Sequence, residues 1–133
     1  MKTKTITQII TFAANPMTIY DLLMDEKKHA AFTNSEVSIS NEIEGKFSVF
    51  DDYCHGYNIE LIPGDKIVQA WHFSEDGWPA DHFSICTFQF ENDADKTKLI
   101  FTQTEVPEHK VKELKDGWRA YYWKPMKVYL SEN

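Results

Sequence analysis

The chain has 133 residues, a formal net charge of −7, 42% hydrophobic residues and 14% aromatic residues. A single domain of this length buries about two thirds of the surface its unfolded chain exposes, so folding requires neither disulfide nor metal. Lys and Arg do not cluster as a phosphate-binding surface requires, and no apolar run reaches a membrane span; neither nucleic acid nor membrane is expected as a partner.

The opening "MKTKTITQII" lacks the apolar segment and cleavage site of a secretory leader. A cytoplasmic protein is expected, with Cys54 and Cys86 both reduced. Within it, "TKTITQIITF" alternates, with Ile6, Ile10 and Phe12 on one face, and reads as the first strand. Asn15 then suits a helix N-cap and Pro16 the first helical position, where a missing N–H costs nothing. The helix "PMTIYDLLMD" follows, and "DEKKHAAF" continues as a second short one.

From Glu36 to Val106 the period changes to two. The β-rich runs "EVSIS", "KFSVF", "GYNIEL", "KIVQAWHF", "FSICTFQF" and "TKLIFTQTEV" are separated by short turn segments. No break leaves room for a crossover helix, so the strands are expected to pair as an antiparallel meander. Parity puts Tyr57, Ile59 and Leu61, then Ile67, Trp71 and Phe73, then Cys86, Phe88 and Phe90, then Leu99 and Phe101 on one apolar face. That face needs a cover.

The C-terminal segment supplies it. Val111, Leu114, Trp118, Tyr121, Tyr122, Pro125 and Tyr129 share one side of a helical wheel, while Arg119, Lys124 and Lys127 lie elsewhere. Pro125 cannot bond to the carbonyl of Tyr121 and is expected to bend the helix. Trp123, Met126 and Leu130 fall off the stripe. They predict a second apolar patch, exposed and available for a weak homodimer or a partner protein.

The motifs "FAANPMTIYDLLMDEKKHAAFT", "GKFSVFDDYCHGYNIELIPGDKIVQAWHF", "WPADHFS", "TKLIFTQTEVP" and "GWRAYYWKPMKVYL" together resemble the homologues of the activator of heat-shock protein 90 ATPase. This family lies within the START and birch-pollen-allergen superfamily. The resemblance covers nearly the whole chain. It implies one α+β helix-grip domain over residues 1–133: a curved antiparallel sheet around a long C-terminal helix, with two short helices after the first strand. Members are single-domain bacterial proteins or the C-terminal domain of the eukaryotic co-chaperone. One departure is that Trp71 is followed by His72 where Arg is common. The co-chaperone's separate N-terminal domain does not fit in 133 residues, so direct stimulation of the chaperone ATPase is not expected of them.

No catalytic motif is legible. There is no Gly-x-Ser-x-Gly elbow and no glycine-rich phosphate loop. The five histidines show no metal-ligand spacing, so neither metal nor cofactor is expected. The remaining candidate is the space between helix and sheet. Parity and helical phase direct Tyr57, Trp71, Phe73, Cys86, Phe88, Phe101, Gln103, Trp118 and Tyr122 into it, with Glu105 beside Gln103 at a polar mouth. A filled core is one reading of this set. The other, which the superfamily resemblance favours, is a pocket for a small hydrophobic ligand. The alternative function is a co-chaperone-like protein-interaction module.

Overall fold

The computed structural model describes residues 1–132. Strand β1 (Thr3–Phe12) leads into α1 (Pro16–Met24) and α2 (Glu26–Thr33). Asn15 caps α1, its side chain accepting from the Thr18 N–H at 2.9 Å, and Asp25 caps α2 through the Lys28 N–H at 3.0 Å. The chain leaves α2 through Asn34, whose φ of +52° is the left-handed C-cap conformation that Asn tolerates.

Six strands follow: β2 (Ser38–Ile39), β3 (Lys46–Val49), β4 (Cys54–Ile62), β5 (Lys66–Phe73), β6 (Ser84–Asp93) and β7 (Lys96–Pro107). With β1 they form one antiparallel sheet in the order β1-β7-β6-β5-β4-β3-β2, so the first strand closes one edge and the second the other. After a 3₁₀ turn at Glu108–Lys110, helix α3 (Val111–Trp118) passes into a π-helical turn at Arg119–Trp123 and then into α4 (Lys124–Glu132). The architecture is the α+β one expected, with two short helices after β1 and a long C-terminal helix on the sheet.

The helix stripe differs from its expected phase by one residue. In the π turn the Lys124 N–H bonds to the Arg119 carbonyl, five residues back. Each residue beyond it is therefore rotated relative to a straight α-helix. Trp118 and Tyr122 face inward as expected, but Trp123 and Met126 are buried with them and Tyr121 is turned out to 61% exposure. The expected surface patch is thus largely interior. Trp123 donates to Gln8 Oε1 at 2.7 Å and stacks beside Trp118 at 5.5 Å, so an association through that patch loses its basis.

Two bulges revise strand parity in the same way. The β4–β5 register shifts between Asn58 and Glu60. Residues Cys54, Gly56 and Asn58 face the interior, while Tyr57 and Ile59 are exposed on the other face, contrary to expectation. Near the end of β7, Glu105 takes a φ of +60° opposite the irregularity between Lys4 and Ile6. It is turned to solvent instead of continuing the inward row of Leu99, Phe101 and Gln103.

Candidate functional site

Behind β6 and β7 the space under the helix is filled. Phe101 lies 4.5 Å from Trp118 and 5.1 Å from Phe88 between ring centroids, and Trp123 packs on Phe101 at 5.2 Å. Gln103 is fully buried there. Its Oε1 accepts from the Trp118 indole N–H at 2.8 Å, and its amide donates to Ser84 Oγ at 2.9 Å. This arrangement pins the helix to the sheet and is not the polar mouth expected. Cys86 is likewise enclosed, and burial pushes its thiol pKa up despite a bond from Ser84.

Behind β4 and β5 the packing is incomplete. A cavity of about 410 Å³ lies between the ends of these strands, the β3–β4 turn and the α3–π junction. Trp71, Phe73, Leu114, Trp118 and Tyr122 supply apolar walls, and Gly117 leaves the helix side bare. Of the residues expected at a pocket, Trp71, Phe73, Trp118 and Tyr122 line this one. Phe88, Phe101, Cys86 and Gln103 belong to the packed half, and Tyr57 lies outside, 5.7 Å from Phe83.

Phe50 lines the cavity from the turn. Phe50, Asp51 and Asp52 all have positive φ, at 53°, 55° and 72°. Each costs on the order of 1 kcal/mol or more for a side chain other than Gly. Asp51 holds the turn by accepting from the Glu36 N–H at 2.7 Å, and Asp52 by accepting from the Ser48 hydroxyl. The result sets the Phe50 ring edge-on to Tyr121 at 5.8 Å and to Tyr122 at 5.7 Å. Tyr122 is fixed from behind. Its hydroxyl bonds His29 Nε2 at 2.8 Å, and the other imidazole nitrogen meets the Leu23 carbonyl at 3.0 Å. Burial lowers the His29 pKa to about 4, so the ring is neutral; with Nδ1–H donating to Leu23, Nε2 accepts from the tyrosine.

The rim is polar. Tyr53 donates its hydroxyl to Glu75, and burial followed by this bond raises its pKa. Lys110, itself nearly buried, lies 3.7 Å from Glu75 and 3.2 Å from Glu113. Cys54 also borders the cavity, and burial followed by the charge of Glu75 raises its thiol pKa, which leaves it protonated and a poor nucleophile. Among the described residues no three His, Cys, Asp or Glu side chains gather to hold a metal, and no helix is long and apolar enough to cross a membrane.

Sequence reasoning did not find Phe50, Tyr53, Cys54, Glu75, Leu114 or Glu113 as a group. The one local signal was "FDDY", where two Asp residues tolerate the left-handed backbone that swings Phe50 inward. Glu75 and Glu113 are 38 positions apart in the numbering and meet only through Lys110.

The sequence matches the model of the family described as Activator of Hsp90 ATPase homolog 1-like protein over residues 13–131. It is 35% identical over 118 residues to the activator of 90 kDa heat shock protein ATPase homolog of Dictyostelium discoideum, an alignment covering 88% of this chain and 30% of that protein. The chain thus spans under a third of that relative's length. Among solved structures it is similar to an HSP90 activator from Plasmodium falciparum, with a TM-score of 0.87, 22% identity and 96% of each chain covered. It is also similar to protein MLL2253 from Mesorhizobium loti, with a TM-score of 0.84, 13% identity and 98% of each chain covered. At these identities the two structural likenesses establish the fold alone.

Proposed function

The chain belongs to the Activator of Hsp90 ATPase homolog 1-like family, and on that premise we propose that it binds one small hydrophobic molecule in the cavity beneath α3, without catalysing a reaction on it. The observation that carries this reading is the contrast within one interior. Half of the space under the helix is packed ring on ring, while the other half leaves about 410 Å³ between apolar walls. That volume lies within the roughly 300–1,000 Å³ of small-molecule sites, and the few polar groups at its rim are the kind that orient a ligand. The rim carboxylates Glu75 and Glu113 share the one cation of Lys110, and the negative charge left over favours a neutral or cationic polar end over a fatty-acid head group.

Gly117 supplies the test. A Cβ added there meets only Tyr121 Cδ2, at 3.9 Å, so the helix accepts a side chain at this position, and Gly117→Leu narrows the cavity from its helix side while removing a helix-interior glycine. The neutral probe N-phenyl-1-naphthylamine is expected to bind the parent protein one-to-one, quench Trp71 and Trp118, and raise the melting temperature by mass action. Gly117→Leu should abolish binding while leaving the fold intact. Unchanged binding in that variant, or no saturable binding to the parent, would overturn the proposal.

A second reading is a co-chaperone-like interaction with a heat-shock protein, favoured by the name of the Dictyostelium relative. It predicts that purified chaperone binds the chain equally well before and after Gly117→Leu.

A further inference from the structure

The two edges of the sheet are built differently. At one edge β2 has two residues, and the Ile39 N–H is taken by Glu26 Oε1 at 2.9 Å. At the other, β1 runs for ten residues with β7 as its neighbour on one side. None of the described backbone hydrogen bonds outside the sheet ladder falls on Thr3–Phe12. Every second residue of β1 therefore presents an N–H and a C=O to its open side. Edge strands are ordinarily blunted by charge, proline or a bulge. From Thr5 to Phe12, "TITQIITF", β1 carries no charge and no proline; its register shift comes at the start, between Lys4 and Ile6, and Ile9 is 60% exposed.

A groove runs along this strand from Thr7 to Thr11, with Trp123 in its wall and Arg119, Lys124 and Lys127 on the helix side. No carboxylate lines it. These are three cations, including the chain's single arginine, on a protein of net charge −7. Arg119 is paired with Asp116 at 3.5 Å, with both side chains well exposed, whereas Lys124 and Lys127 form none of the salt bridges among the described residues. The groove is also rigid: Gln8 accepts from Trp123 and donates to the Lys115 carbonyl at 3.2 Å, tying the strand to the helix.

We propose that this groove receives an extended, acidic peptide segment of another protein, which adds a strand to the free edge of β1. The segment's backbone completes the ladder. Its carboxylates meet Arg119, Lys124 and Lys127, and an apolar side chain covers Ile9. Charge disfavours a second copy of the chain as the occupant, because edge-to-edge pairing would bring two sets of these cations together. The groove lies apart from the cavity under α3, so the inference stands whether or not that cavity holds a ligand.

The test uses a fluorescein-labelled nine-residue synthetic peptide in which Glu or Thr alternates with Val. Saturable binding is expected, weakening as salt is raised. It should fall at least tenfold for the Arg119→Glu/Lys124→Glu/Lys127→Glu variant, whose changes lie on exposed helix positions. It should fall equally for the peptide with alternate amides N-methylated, which tests strand addition without altering the protein. Amide exchange at alternate residues between Thr7 and Thr11 should slow on binding. Equal binding of a Lys-for-Glu peptide, indifference to methylation, or tighter binding of an oligothymidylate would each overturn the proposal. So would a concentration-dependent dimer that the peptide does not dissolve.

Discussion

His29 changes its protonation on folding within the pH range where the protein can be studied. Its imidazole is buried against the Leu23 carbonyl and the Tyr122 hydroxyl, and its pKa falls from 6.5 to about 4. Between those values the unfolded chain binds a proton that the folded chain does not, so stability rises with pH across that window. The unfolding free energy should therefore drop by up to roughly 3 kcal/mol between pH 7 and pH 4 through this one group. Urea titrations at both pH values, on the parent and on His29→Gln, check this. The carboxylates common to both proteins cancel in the comparison, and an equal pH dependence in both would refute the assignment. The same imidazole orients Tyr122, so protonation should loosen one wall of the cavity as well as the fold.

The C-terminal helix resolves its proline by changing register. Pro in a straight helix costs about 3 kcal/mol, because it deletes a bond and its ring strikes the carbonyl four residues back. Here the π turn at Arg119–Trp123 ends two residues before Pro125 and widens the helix at Tyr121. Pro125→Ala should consequently stabilise the protein by less than about 1.5 kcal/mol, against the 3 expected without such relief. Thermal unfolding of the pair measures it; a gain near the full value would mean the ring still clashes. The turn also explains the buried aromatic set. It brings Trp118, Tyr122 and Trp123 to one side together, which no straight α-helix stripe through Tyr121 and Pro125 predicts.

At the scale of the whole molecule the sheet is stabilised unevenly. Strand β7 is bonded to β1 on one side and to β6 on the other and lies under Trp118 and Trp123. Strands β2 and β3, of two and four residues, pair at the far edge beside the turn with positive φ. Local opening follows contact density, so native-state hydrogen exchange should be slowest in β6 and β7 and fastest through β2, β3 and the turn at 50–53. Protection of that turn equal to that of β7 would contradict this. The side predicted to open first is the one that borders the cavity, so the proposed ligand would enter without opening the packed half.

Element order, the Asn15 cap of α1, and the inward rows of β5, β6 and β7 as far as Gln103 were legible in the amino-acid sequence. They follow from local rules: alternation in "KIVQAWHF", an Asn-Pro helix start, and apolar spacing after Val111. Trp71, Phe73, Trp118 and Tyr122 were found as neighbours on this basis. The tertiary structure decided the rest, because a one-residue irregularity reverses which side chains face inward while leaving the local pattern unchanged. The bulge after Asn58 turned Tyr57 out, the left-handed Glu105 removed the expected polar mouth, and the π turn carried Trp123 and Met126 inside. Each is held by a contact outside its own strand or helix: Asn58 donates to the Ser40 and Glu42 carbonyls, the Glu105 carbonyl accepts from His82 Nε2, and Trp123 donates to Gln8.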